Sequence, residues 1–495
     1  MLRFTRRQWL TLIVIGVADF CNAICVSLQA PFYPQIAESK NCTATEYGLV
    51  FGIFEFTVFL ISPFYGQHLH KLGPKLVFNA GIYTTGICAI LFGLLDKIQE
   101  RTPFIVLSFT IRIVEALGNA AFLTASFAII AQEFPNNVAT TFACLETFFG
   151  LGLIFGPTVG GALFQVGGYT LPFAVMGSAL FLSAVLTAFV LPKHESGKDR
   201  KVAPSAFQAL KITGVLLCTL SIVATSMSIG FLQATLEPHL RTFDLPPVLL
   251  GLMFVLNGGT YALTAPAFGW CCDKTYAPKW VTVAGCLLIA TGFTMVGPAP
   301  FLPVEKKMWM IMFGLVLHGL GMSAQLVASF TDALRTLVLH GFPNDLETFG
   351  LISGIWTSAF ALGAFVGPSI SGVLFDNIGF ANASLFVILL HVAVAALTAA
   401  FVLITKDRTP VVKFQDAETA VGDPSEKCPA DDSITESLKN IRSVGNGISI
   451  EKSRPPGMNS LIACNSYKSQ AWPERDSSYQ RLGPFSYTYG AVNHK

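Results

Sequence analysis

Polar residues are scarce along this chain and bunched into short gaps. Apolar runs of roughly 18 residues or more, enough for a helix to cross a bilayer core of about 30 Å, lie at about 9–36, 46–69, 75–96, 102–132, 136–166, 170–191, 210–240, 247–272, 279–303, 308–340, 344–377 and 380–406. None has the strict alternation of a half-buried strand, and in lipid only helices or closed barrels satisfy their own backbone. The pattern predicts twelve membrane-spanning helices. The first run follows Arg3, Arg6 and Arg7, is longer than a signal-peptide core and has no A-x-A-like cleavage site, so it reads as a retained first helix.

The runs repeat. Leu28-Gln29-Ala30 with Pro34 returns as Leu232-Gln233-Ala234 with Pro238, an offset of 204. GLVF at Gly48 and GLMF at Gly251, Pro63 with Gly66 and Pro266 with Gly269, and Gly118 with Gly321 all match at 203. Phe134-Pro135-Asn136 recurs as Phe342-Pro343-Asn344 at 208, and Gly156-Pro157 as Gly367-Pro368 at 211. A nearly constant offset in chain order means a six-helix unit duplicated in parallel. That is the layout of the major facilitator superfamily, which the chain resembles. The expected fold is an all-α membrane protein with twelve helices in two six-helix halves. The first half is 1–191 and a charged linker at 192–209 follows it. The second half is 210–406, ahead of a polar tail at 407–495, rich in Ser, Pro and Asn, that reads as disordered.

Composition agrees: 52% of the 495 residues are hydrophobic and 13% charged, against about 25% charged in soluble domains. The net charge of +2 points to no class of partner. Its distribution is more informative. One set of inter-helix segments holds 16 basic residues, among them Arg6, Arg7, Lys71, Lys75 and Lys274, and the opposite set holds 6, among them Lys40, Lys97 and Arg101. The excess places both termini in the cytoplasm. The sequon Asn41-Cys42-Thr43 then falls on the far side, where glycosylation occurs. Of eleven cysteines only Cys42 falls in a far-side loop, so no structural disulfide is expected. No Cys/His spacing suggests a metal, and no cofactor is expected. In the tail, Tyr479-Gln480-Arg481-Leu482 fits a tyrosine-based sorting signal for an adaptor, a pattern that also arises by chance.

Three motifs weaken helices where a simple span would not. Gly66-Gln67-His68-Leu69-His70-Lys71-Leu72-Gly73 resembles the superfamily loop motif G-x-x-x-D-R-x-G, with His70-Lys71 in place of the Asp-Arg pair. Its second copy, Gly269 to Lys274, keeps the acid as Asp273. In the fourth run, Arg112-Ile113-Val114-Glu115-Ala116-Leu117-Gly118 resembles the R-x-x-Q-G-x-G pattern associated with proton coupling, with Glu115 and Ala116 replacing Gln and Gly. Arg112 and Glu115 share a helix face, and a purely structural ion pair is the other reading. In the fifth run, GLIFGPTVGGALF places Gly152, Gly156, Pro157, Gly160 and Gly161 in a pattern resembling the motif of drug and amine antiporters. Small residues every fourth position let helices pack closely in lipid, and Pro157 removes a backbone donor.

The carboxylates carry the chemistry. Asp19, Glu55, Glu115 and Glu146 each lie about nine to thirteen residues into their helices, near mid-membrane at about 1.5 Å per residue, and Arg112 alone offsets them there. Intramembrane acids are functional candidates by default because unpaired burial is expensive, and a low dielectric favours the protonated form of a carboxyl group. A site that holds either a proton or an amine is the simplest coupling device. Asn22 and Asn257 offer neutral polar contacts. His318, nearly symmetry-equivalent to Glu115, reads as a titrating group or as a satisfied core histidine. Glu237, near the far end of the seventh run, reads as an entry acid or as a solvated helix end. The absence of a nucleophile–base pair, metal cluster or phosphate-binding loop argues against an enzyme.

The segment FPNNVATTFACLETFFGLGLIFGPTVGGALFQVGGY closely resembles the vesicular amine transporter family, and within it the subgroup containing the vesicular polyamine transporter, with the likeness covering about 9–406. The resemblance implies a monomeric vesicular exporter that loads organic amines in exchange for luminal protons, with no nucleic acid partner. Two departures leave room for polyamines rather than monoamines. Asn22 stands where monoamine members carry the first-helix acid, with Asp19 one turn earlier. Their seventh-helix acid corresponds by local wording to Glu237 and by internal register to Gln233. A plasma-membrane drug or metabolite exporter of the same fold, and a membrane receptor or scaffold without transport, are the competing readings.

Overall fold

Twelve long helices carry the fold, and no strand occurs among the described residues. The computed structural model describes residues 4–29, 33–190, 205–244, 247–274, 277–301 and 304–405, all within one unit spanning Met1–Val421. The first half comprises α1 (Arg6–Leu28), α2 (Ala44–Leu72), α3 (Pro74–Gly93), α4 (Arg101–Glu133), α5 (Val138–Gly167) and α6 (Thr170–Val190). The second comprises α7 (Thr213–Leu240), α8 (Pro247–Lys274), α9 (Pro278–Val296), α10 (Met308–Leu339), α11 (346–378) and α12 (380–405). The charged part of the expected linker, 192–204, and the tail, 407–495, with its Tyr479–Leu482 pattern, lie outside the described residues.

Ten stretches are long and apolar enough to cross a membrane, one of them the joined pair α11–α12, and the 28 residues of α8 complete the twelve. Their outer faces carry large apolar side chains in the open, such as Phe189 (84% exposed), Leu263 (81%) and Ile404 (81%). A water-soluble protein does not leave such surface bare; a bilayer covers it. Two boundaries differ from the hydropathy pattern. The first run divides into α1 and a short helix, Tyr33–Ser39, with Pro34 in the first turn, where its missing N–H costs nothing. The run at 279–303 ends as a helix at Val296, because Pro298 disfavours helical geometry at Gly297 before it.

Local rules fix several ends. Thr5 and Gln8 form a capping box at the start of α1, and Thr43 and Glu46 another at the start of α2. The turns from α5 to α6 and from α11 to α12 need a left-handed residue. Gly168 (φ 70) and Gly379 (φ 72) supply it, 211 positions apart.

The duplication is visible as packing. A Cβ added to Gly152 of α5 would sit 2.6 Å from Phe20 O and Ala23 Cβ of α1. Its counterpart at Gly363 of α11 would sit 2.5 Å from Val223 O of α7. Gly81 meets the Gly118 carbonyl between α3 and α4, and Gly285 meets the Gly321 carbonyl between α9 and α10. Each half is therefore bound internally by the same glycine seams, where backbones approach closely enough for dispersion to hold helices that lipid cannot squeeze together.

Candidate functional site

The intramembrane acids sit where these seams bring five helices together. A small cavity of about 40 Å³ lies among α1, α2, α4, α5 and α11. Glu55 and Phe54 of α2, Asn119 and Phe127 of α4, Glu146 and Phe149 of α5, and Trp356 and Phe360 of α11 are in its wall. Binding sites for small molecules typically enclose about 300–1,000 Å³, so this arrangement is occluded. Glu146 is 3% exposed and is held from the other half of the molecule, since the Tyr261 hydroxyl of α8 donates to its Oε2. The indole Nε1 of Trp356 is buried and has no partner among the described residues.

Behind this wall is a second layer. Asn22 of α1 donates to Asn119 Oδ1 at 2.7 Å, so Asn22 touches the cavity lining at one remove. Asp19, a turn earlier on α1, is fully buried, and neither of its carboxyl oxygens has a hydrogen-bond partner among the described residues. Arg112 Nη1 donates to Glu115 Oε2 at 2.9 Å, and Gln29 Nε2 donates to Glu115 Oε1 at 3.1 Å. The Arg112 guanidinium lies 4.2 Å from the Phe54 ring centre, a cation–π contact that ties this pair to the cavity wall. Glu115 is thus a fully partnered acid and Asp19 an unpartnered one.

The second half builds a neutral counterpart. His318 of α10, fully buried, meets Asn257 Oδ1 of α8 through Nδ1 and Ser228 Oγ of α7 through Nε2, both at 3.0 Å. With Asn257 presenting its oxygen, Nδ1 carries a hydrogen. Ser228 Oγ also lies 2.7 Å from Thr225 O, so its own hydrogen has two acceptors to choose from. Neither Asn257 nor His318 is in the cavity lining. Glu237 is at the far end of α7, in an exposed bidentate pair with Arg241 at 2.8 Å. Asn41, with φ 59, lies exposed in the turn before α2. No group of three or more His, Cys, Asp or Glu among the described residues could hold a metal ion.

The two halves are clasped at the end of the bundle where α1 begins. Asp273, in the last turn of α8, accepts from Ala139 N (3.0 Å), Thr140 N (2.9 Å) and Thr140 Oγ1 (2.5 Å). The first turn of a helix has unpaired N–H groups and a partial positive charge, so one half caps a helix of the other. Gly269 fits beside Ala139 one turn away. The symmetry-related seam between α2 and α11 is built differently. Gly66 lies against Gly350 and Gly354, and Asp345 caps its own helix through Glu347 N at 3.1 Å. Lys71 is exposed beside this seam. His70 stands at the position of Asp273, and Gly66 approaches the α11 backbone as closely as Gly269 approaches that of α5.

Tyr261, Trp356, Asn119 and Gln29 are the residues that motif reading did not single out. Tyr261 and Trp356 carried one available signal, a polar aromatic in mid-span instead of at the membrane interface.

The sequence model of the Major Facilitator Superfamily matches residues 15–236 and 216–455. The MFS-type transporter SLC18B1 of Homo sapiens is 37% identical over 378 residues, 76% of this chain and 82% of that protein. The human chromaffin granule amine transporter is 24% identical over 346 residues, 68% of this chain and 61% of that one. Among solved structures, the crystal structure of the human organic anion transporter MFSD10 superposes with a TM-score of 0.64 at 16% identity, covering 79% of this chain and 99% of that one. At that identity the likeness speaks for the fold alone. Twelve helices in two repeated halves, clasped at one end around a central cavity, and matched along their length by that family's sequence model, place this chain in the major facilitator superfamily, together with SLC18B1.

Proposed function

We propose that this protein is a proton-coupled antiporter that carries organic amines, polyamines or monoamines, into acidic vesicles by alternating access. The observation that carries the reading is the cavity wall, in which two carboxylates, Glu55 and Glu146, face aromatic rings of Phe54, Phe127, Trp356 and Phe360. Carboxylates and aromatic faces both attract a cation and repel an anion. A carboxylate buried alone is costly, whereas one neutralised by a proton or by an ammonium crosses the midplane more easily. Glu146 can be neutralised by one or the other, and that exclusivity makes the two fluxes opposite. The similarity to the human chromaffin granule amine transporter supports the same substrate class and compartment.

In this reading the end clasped by Asp273 faces the cytoplasm, in line with the excess of basic residues there, and Asn41 faces the lumen. Asp19 serves as a reserve proton site behind Glu146. His318, Asn257 and Ser228 adapt the second half to either protonation state, and Arg112 with Glu115 fixes α4 against α2. Glu237 sits at the luminal mouth.

Proteoliposomes with an inside-acid gradient test the proposal. Labelled spermidine, spermine and serotonin are offered to wild type, Glu146→Gln and Asp19→Asn. At least one amine accumulates in wild type, a proton ionophore abolishes the uptake, and Glu146→Gln lowers it by at least tenfold. Gradient-independent behaviour of all three amines would sink the proposal.

A further inference from the structure

Tyr261 has no part in any motif, yet it joins a cavity carboxylate, Glu146, to the opposite half of the molecule. The α5–α8 seam runs from the Asp273 cap at one end, through Thr147 Oγ1 donating to Ala262 O at 2.8 Å, to Tyr261 donating to Glu146. Gly150 of α5 lies against the Tyr261 ring, with a Cβ there only 3.2 Å away, so the ring is held and its hydroxyl has a fixed aim. Tyr261 is 6% exposed.

Resting on the antiport reading above, we infer that Tyr261 is a positioning residue that couples the charge state of Glu146 to closure of the α5–α8 seam. A hydrogen bond to a carboxylate is about twice as strong as one to a neutral carboxyl group. Ionised Glu146 therefore grips Tyr261 and keeps the clasped end shut. A proton arriving on its free oxygen from the opposite side weakens the grip, and the seam opens towards the cytoplasm. The proton then departs there, and an amine takes its place. An ammonium pairing with that oxygen leaves Glu146 ionised, so Tyr261 is gripped again and the loaded carrier closes behind the amine. The empty, ionised carrier is held shut, which prevents it from returning without a proton. The bond thus supplies the coupling rule that a carboxylate alone does not.

Other titratable groups face Glu146 or share its seam. Asp19 of α1 lies behind it, Glu55 of α2 shares the cavity wall with Arg112 and Glu115 of α4 beyond it, and Asp273 caps the seam's end. Protonation of Asp273 would also loosen the seam, so a test must separate the two.

Spin labels are attached through Asn136→Cys and Lys274→Cys, which flank the clasped end, in the full-length protein without its native exposed thiols. Distances are recorded at pH 5.5 and 8 in wild type, Tyr261→Phe and Glu146→Gln. In wild type the ratio of open to closed seam falls roughly tenfold as pH rises, the size of change one charge-assisted hydrogen bond supports. Both variants lose most of that pH dependence, and either one alone suffices if the other fails to fold. A Tyr261→Phe protein that still follows pH as wild type does would overturn the inference and move the switch to Asp273. A wild type whose seam ignores pH would overturn it too. Transport gives a second readout in vesicles loaded with spermidine. Tyr261→Phe keeps counterflow exchange but loses gradient-driven accumulation, because the empty carrier now returns without a proton. If no amine is carried and the seam still responds to pH through Tyr261, the substrate reading has failed while the coupling stands.

Discussion

Arg112 illustrates how much a single buried side chain is asked to do. It is 3% exposed, donates to Glu115, stacks its guanidinium on Phe54 and leaves Nε without a partner among the described residues. Lysine has no planar group to place on that ring. Removing one member of a buried ion pair strands the other charge, at a cost of about 3–5 kcal/mol. Arg112→Ala is therefore expected to lower thermal stability sharply in detergent. Arg112→Ala combined with Glu115→Gln should recover a large part of the loss, as read from unfolding curves of the purified proteins. Asp19 is the opposite case, a fully buried acid whose carboxyl oxygens have no hydrogen-bond partner among the described residues.

At the scale of helices, one sequence motif contains glycines of two different kinds. Gly152 has no room for a side chain, since a Cβ would meet the α1 backbone at 2.6 Å, whereas nothing lies within 4 Å of a Cβ added at Gly161. Gly152→Val is expected to force α1 and α5 apart and abolish a monodisperse peak in size-exclusion chromatography. Gly161→Ala should fold normally and gain roughly 0.5–1 kcal/mol from helix propensity. If both variants behaved alike, close packing would not be the reason for the motif. The helix seams also explain how an altered motif keeps its role. His70 and Lys71 replace the Asp-Arg pair, while the α2–α11 seam keeps the close approach of Gly66 to Gly350 and Gly354.

For the molecule as a whole, the two halves are alike in framework and unlike in chemistry. The first half gathers Asp19, Glu55, Arg112, Glu115 and Glu146, while the second places His318, Asn257 and Ser228 at the related depth. Such asymmetry suits a carrier that must bind cargo on one side of its axis and swing on the other. Its orientation is directly testable. A membrane-impermeant maleimide should label Lys71→Cys in intact cells only after permeabilisation if the protein is displayed at the surface with its clasped end inward, whereas Asn41→Cys should react without it. The reverse pattern would invert the proposed direction of transport.

The number of helices and their repeat were legible in the sequence. Lipid forces every spanning segment to be apolar and helical, and a duplication leaves matching residues at a nearly constant offset. The Gly-Pro stripes predicted seams for the same reason, since only small residues allow such an approach. Which acids share one cavity was not legible, because Glu55 and Glu146 are 91 positions apart and helical periodicity says nothing about which helices become neighbours. Tyr261 and Trp356 each carried the mark of a polar aromatic in mid-span, but their contacts were not legible, for a related cause. Each acts across the interface between halves, and a single sequence carries no trace of contacts between elements that meet only after both halves have closed. Chain chemistry settled what could enter the membrane and set Arg112 one turn from Glu115, and tertiary packing alone decided which carboxylate faces the cavity and which lies behind it.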